Sequence, residues 1–118
     1  MSVICAETEQ EAIDLSGSLG LARLLLARGQ PQAIASVEEA RSYPYAPEER
    51  AFVESFRQAC ILTTPEAVRP ALLKIAQEFE AHELAVVTVC HDFEARQASY
   101  RHIAAAFQLP RLQRIPQK

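Results

Sequence analysis

The sequence predicts an α/β fold with parallel strands. Two observations carry this expectation. Short apolar runs recur at residues 3–6, 60–63 and 84–90, each too short for a helix. Between them, apolar residues return every three or four positions, the period of an amphipathic helix. Strands that alternate with such helices pair in parallel through crossover connections. The pattern is β-α-insert-β-α-β-α.

The first run, Val3-Ile4-Cys5-Ala6, leads into Thr8-Glu9-Gln10-Glu11. Thr8 can accept from the amide of Glu11, and the Glu11 carboxylate can reach back, as in a capping box. The helix it opens is expected to bury Ala12, Leu15, Leu19, Ala22 and Leu26 and to end with Arg28 before Gly29. Arg28 suits the negative end of the helix dipole, and glycine suits the position just past it. Gly17 and Gly20 each cost the helix about 1 kcal/mol relative to alanine. They point either to close packing or to local weakness.

Residues 30–59 form an inserted excursion, far longer than the usual connection of about 2–6 residues. Within it Ser36 caps a helical turn or two, Tyr43-Pro44-Tyr45-Ala46-Pro47 is a stiff extended break, and a helix runs from Pro47 to Gln58. Residues 60–63 are a very short second strand. Thr64 is then expected as a cap with Pro65 at the first helical position, burying Val68, Leu72, Ile75 and Phe79. Pro70 sits awkwardly in that helix, because it cannot donate to the carbonyl of Glu66. Residues 84–90 read as a strand covered on both faces. Asp92 caps a last helix that buries Phe93, Tyr100, Ile103, Ala104 and Phe107 and stops at Pro110.

Composition bounds the function. In 118 residues, 49% are hydrophobic and 23% charged, the proportions of a globular chain. A net charge of −3 disfavours general nucleic-acid binding, which needs a concentrated basic surface. No acidic residue follows Glu94, whereas Arg96, Arg101, Arg111, Arg114 and Lys118 do, so residues 108–118 read as a basic tail. No secretory leader or membrane span is expected, and a cytoplasmic location follows as the default. Cys5, Cys60 and Cys90 form neither a disulfide framework nor a zinc spacing.

Four local motifs add a resemblance. Ala6-Glu7-Thr8 follows the first strand; Thr63-Thr64-Pro65-Glu66 closes the second; Ala81-His82-Glu83-Leu84 precedes the third. The last helix opens with Asp92, Glu94, Ala95 and Arg96 and continues to Ser99-Tyr100. In this order they resemble the C-terminal part of the luciferase-like flavin-dependent monooxygenases. The resemblance implies a partial (β/α)8 barrel, its last three βα units, within residues 1–118 as a single partial domain. A whole barrel needs roughly 250 residues.

By that resemblance the chain is expected to be the C-terminal fragment of an FMN-dependent monooxygenase or oxidoreductase, inactive alone. FMN is implied for the complete enzyme and no bound cofactor for this chain. The alternative expectation is a non-catalytic α/β interaction module that self-associates or pairs with an N-terminal half-barrel. In either case a homo-oligomer such as a dimer, or a rearranged sheet with helices covering what the missing strands would have covered, is expected, because unpaired strand edges invite another chain. No catalytic residue and no metal ligand is assigned, and no flavin contact can be carried onto a numbered position. Thr63 stands where the family has glycine, and His82 where it has an acid.

Cys90-His91-Asp92 has the residue types of a nucleophile, base and orienter. Adjacent strand side chains point to opposite faces, and Asp92 is needed as a cap. Leu84, Val86, Thr88 and Cys90 share one strand face, and the polar Thr88 suggests that this face looks into a barrel. The competing reading makes Cys5, Cys60 and Cys90 small buried apolar side chains. His82, His91 and His102 share no ligand spacing. Tyr43 and Tyr45 either line a pocket or pack the excursion onto the helices.

Overall fold

Only two of the three apolar runs become strands. The computed structural model describes residues 1–110; Arg111, Arg114 and Lys118 of the basic tail lie outside the described residues. β1 (Val3–Cys5) and β2 (Ile61–Thr63) pair in parallel, with Ile4 opposite Leu62. Five helices accompany them among the described residues: α1 (Glu9–Ala27), α2 (Val37–Ser42), α3 (Pro47–Gln58), α4 (Val68–Glu78) and α5 (Phe93–Ala106).

The expected fold class, three βα units of a (β/α)8 barrel, is therefore corrected to a mostly helical domain around two short parallel strands. The third run, residues 84–90, touches β1 through a single parallel bridge between Ser2 and Val87. Val87 donates its amide to the Met1 carbonyl and accepts from the Val3 amide. Beyond that point the ladder stops.

Strand order is the second departure from a barrel. Even-numbered residues of β1 bond to β2: Ile61 donates to Ser2, and Ala6 donates to Thr63. Odd-numbered residues face the opposite edge and meet Val87. Successive backbone groups of a strand alternate between its two edges. The first strand thus lies between the second and third runs, whereas consecutive barrel units would place the second in the middle.

Helices consequently cover both faces of β1. Val3 and Cys5 pack with Val68 and Leu72 of α4 and Ile103 of α5. Ile4 and Ala6 pack instead with Ala12 and Leu15 of α1 and with Cys90. The Leu84 and Val86 face, expected to look into a barrel, packs on the α4 and α5 cluster. Its other face is open, with Val87 45% exposed, so the run is covered on one side only.

The helix caps follow local chemistry. Thr8 accepts from the Glu11 amide, Ser36 from the Glu39 amide, and Asp92 from the amides of Glu94 and Ala95. Gly29 takes a left-handed φ of 73° after α1, as a residue past a helix end commonly does. Thr64 does not cap α4. Its carbonyl instead accepts from Ala67 and Val68, a turn that delays the helix to Val68. Pro70 then falls in the first turn, where an amide donor has no helical acceptor, and the expected strain is absent. Several expected core residues lie outside the core, Leu26, Phe79 and Phe93 among them.

The excursion folds back onto α1. Leu21, Leu24 and Leu25 meet Ala40 of α2, with Tyr43, Tyr45 and Val53 around them. The two tyrosine rings lie 4.8 Å apart, and the Tyr45 hydroxyl donates to the Ala40 carbonyl at 2.8 Å. This settles the two glycines differently. A Cβ on Gly20 would stand 2.9 Å from Val53 Cγ1, whereas one on Gly17 would stand 3.8 Å from Ala40 Cβ. Gly20 permits the approach of α3, and Gly17 only weakens α1. In urea melts Gly17→Ala gains about 1 kcal/mol of stability, while Gly20→Ala falls below the parent chain.

Candidate functional site

Where α/β proteins act, chemistry gathers at the carboxyl ends of the strands. Here that end carries Ala6-Glu7-Thr8 after β1, Thr64-Pro65-Glu66 after β2, and Cys90-His91-Asp92 after the third run. A cleft of about 520 Å³ opens beside it, lined by Leu15, Ser36, Val37, Glu38, His91, Asp92 and Phe93.

The three residues of the tempting triad are not brought together. Cys90 is buried, and its Sγ donates to the Asp92 main-chain carbonyl at 3.4 Å. His91 is exposed, and the Asp92 carboxylate is engaged in capping α5. Burial, reinforced by Asp92, pushes the Cys90 thiol above its ordinary range. Burial likewise raises Cys60, and raises Cys5 to about 11 with help from Glu66 and Glu7. Thiolate is the nucleophile and the metal ligand, so these protonated thiols serve as small apolar side chains. The histidines are equally dispersed: His82 is exposed in a turn, and His102 places Nε2 3.4 Å from Glu7 Oε1. No metal-ligating group of three or more residues occurs among the described residues.

Flavin mononucleotide fits this end poorly. A phosphate is held best by the bare amides of a helix N-terminus. Acidic residues cluster near those ends instead: Glu7, Glu9 and Glu11 around the Thr8-capped start of α1, Glu66 ahead of α4, and Asp92, which caps α5, with Glu94 beside it. Like charge repels the ligand, and Thr63 removes the glycine that would let backbone approach it.

The residues that do converge lie deeper. Cys5 donates its amide to Ser99 Oγ at 3.0 Å; Ser99 and Thr88 hydroxyl oxygens are 2.8 Å apart; Thr88 Oγ1 donates to the Val3 carbonyl at 2.6 Å. Each hydroxyl has one proton, so the direction is determined: Ser99 accepts from Cys5 and donates to Thr88, which donates to Val3. In a regular ladder the backbone of Val89 would serve Val3 and Cys5. Two hydroxyls take its place, and that is why the third run is not a strand.

On the outer edge of the same run, Thr88 is held from α5. Thr88 donates its amide to the Tyr100 hydroxyl at 3.0 Å and accepts from Arg96 Nε at 3.1 Å. The Arg96 guanidinium stacks over the Tyr100 ring, 5.9 Å from its centroid. Arg96, Ser99, Tyr100 and Ile103 stand at i, i+3, i+4 and i+7, one face of a helix. The Ala-Arg and Ser-Tyr motif is thus a clamp on residue 88. A lone threonine in an apolar run, opposite a serine on an apolar helix face, was the signal in the sequence.

A second cleft of about 280 Å³ lies between α1, α2 and α3, floored by Gly17, Gly20 and Val53 and rimmed by Arg41, Arg50 and Arg57. Arg41 reaches Asp14 at 3.6 Å, and Arg57 pairs with Glu54. Tyr45 lines this cleft and also packs the excursion.

Among known proteins, the uncharacterized protein YceB of Bacillus subtilis (strain 168) is 33% identical over 105 residues, covering 89% of this chain and 32% of that protein. The uncharacterized protein YwcH of the same organism is 35% identical over 106 residues, with the same coverage. The crystal structure of apo-MsnO8 superposes with a TM-score of 0.73 at 28% identity, covering 93% of this chain and 34% of that one. The chain spans about a third of the length of each. No protein-family model matches the chain. The resemblance to luciferase-like flavin-dependent monooxygenases is accordingly corrected. Its motifs lie on a two-stranded, helix-covered sheet, where they act as caps, turns and the clamp on Thr88.

Two outcomes check this site. Ser99→Ala leaves the buried Cys5 amide without an acceptor and lowers stability by about 1–3 kcal/mol in urea melts. Burial raises the Cys5 thiol from its ordinary value of 9.0 to about 11 in the folded chain. The raised value contributes stability that is complete below pH 9 and lost as pH rises toward 11. Alkaline melts of the parent chain decline across that window, and Cys5→Ala flattens the decline.

Proposed function

We propose that this chain is a non-catalytic, mostly helical module of a larger protein, inactive alone, that pairs with the rest of that protein. The observation that supports it best is the chemistry at the strand ends. The thiols there are buried and protonated, His91 is exposed, the Asp92 carboxylate is spent on capping α5, and the His102–Glu7 pair has no nucleophile beside it among the described residues. The short match to YceB and YwcH, a third of each, agrees with a segment rather than a whole.

For the complete protein, FMN-dependent oxidation of an organic substrate is the reaction to assay. The oxidising chemistry would be the flavin's. This segment's contribution would be structural, since its strand ends do not suit the phosphate. No helix of the described residues is long and apolar enough to cross a membrane.

Purified chain incubated with reduced FMN and oxygen should show no protein-dependent flavin turnover and no retained flavin absorbance after gel filtration. Retained flavin with substrate-dependent turnover by the chain alone would overturn the module reading.

A further inference from the structure

Although the chain carries a net charge of −3, the cleft between α1, α2 and α3 gathers cations around an apolar hollow. Packing of the excursion makes the hollow. Gly20 lets α3 close on α1, with Val53 Cγ1 only 2.9 Å from where a Cβ would stand. Gly17 meets nothing nearer than Ala40 Cβ, at 3.8 Å, and leaves the helix surface bare there. The cleft of about 280 Å³ is walled by these four residues together with Val37 and Phe56. Small-molecule sites begin at about 300 Å³, so an occupant of this one is small.

The polar groups of the lining select the sign of that occupant. Arg41, Arg50 and Arg57 line the cleft with Asp14 and Glu54, three cations against two carboxylates. Arg41 is matched by Asp14 at 3.6 Å, and Arg57 by Glu54. Among the described residues Arg50 has no carboxylate partner. The Tyr45 and Ser16 hydroxyls spend their protons on the carbonyls of Ala40 and Ile13, at 2.8 and 2.6 Å. The surplus positive charge and the free donors of the cleft therefore sit on Arg50.

We propose that this cleft binds a small organic monocarboxylate, its carboxylate on Arg50 and its apolar body against Val37, Val53 and Phe56. One unmatched cation calls for one negative charge. The planar guanidinium presents a fork that a carboxylate meets with two parallel hydrogen bonds. A phosphate dianion would bring a second charge up to Asp14 and Glu54 with no cation left to balance it. The apolar walls add affinity only for a ligand with a body to bury, and the Phe56 ring favours an aromatic one. The site draws on α1, α2 and α3 and on no residue of the strand ends, so it stands independently of the module reading.

The test titrates the intact, nitrogen-15-labelled chain with phenylacetate and follows the amides by nuclear magnetic resonance. Saturable shifts should centre on Gly17, Gly20, Ala40 and Val53. Acetate, phenethylamine and inorganic phosphate should each bind at least about tenfold more weakly. Arg50→Gln should weaken phenylacetate at least about tenfold and leave the rest of the spectrum in place. Arg101→Gln, which removes the same charge from an exposed position on α5, should leave the affinity unchanged. Gly17→Leu, which puts a side chain into the hollow, should abolish binding; if that variant does not fold, Arg50→Gln decides. Absence of saturable shifts, shifts centred elsewhere, or binding that survives Arg50→Gln would overturn the site. Phosphate or phenethylamine binding as tightly as phenylacetate would overturn the ligand class.

Discussion

A relay of two buried hydroxyls holds this fold together. The proton path runs from the Cys5 amide to Ser99, from Ser99 to Thr88, and from Thr88 to the Val3 carbonyl, with Thr88 and Ser99 fully buried. Every donor and acceptor in it is satisfied, so burial of four polar groups carries no orphan cost. The relay ties three separate stretches: β1, the third run and α5. Without it, the edge of β1 that faces the third run would be half unpaired.

The rest of the architecture follows from that tie. Because α5 reaches β1 through Ser99, Ile103 arrives on the same face and closes the cluster with Val3, Cys5, Val68 and Leu72. The opposite face of β1 is left to α1, whose far half then carries the excursion on Leu21, Leu24 and Leu25. One side of the domain is thus made of local helix packing and the other of contacts spanning most of the chain. The clamp from Arg96 and Tyr100 holds the outward amide and carbonyl of Thr88 within the chain.

Much of this was legible in the residues. Thr8, Ser36, Pro47 and Asp92 mark helix starts that hold, because capping is settled within four residues of chain. The fate of residues 84–90 was not legible. Their apolar pattern is that of a strand, and only the arrival of Ser99 and Tyr100 from α5 diverts the ladder. Strand order was hidden for the same reason: the central place of β1 depends on which edge each partner takes. At the strand ends, Cys90-His91-Asp92 showed reactive residue types but not their directions, and burial rather than identity decides that the thiols stay protonated.

The most direct test of this account is the hydrogen exchange of the Cys5 amide, followed by nuclear magnetic resonance. Its acceptor is a side-chain hydroxyl rather than a ladder carbonyl. If the relay organises the fold, Cys5 exchanges only on global unfolding, as slowly as the slowest amides of α1, and Ser99→Ala speeds it far more than it speeds those. Exchange of Cys5 at the rate of an open loop in the unmodified chain would contradict the account.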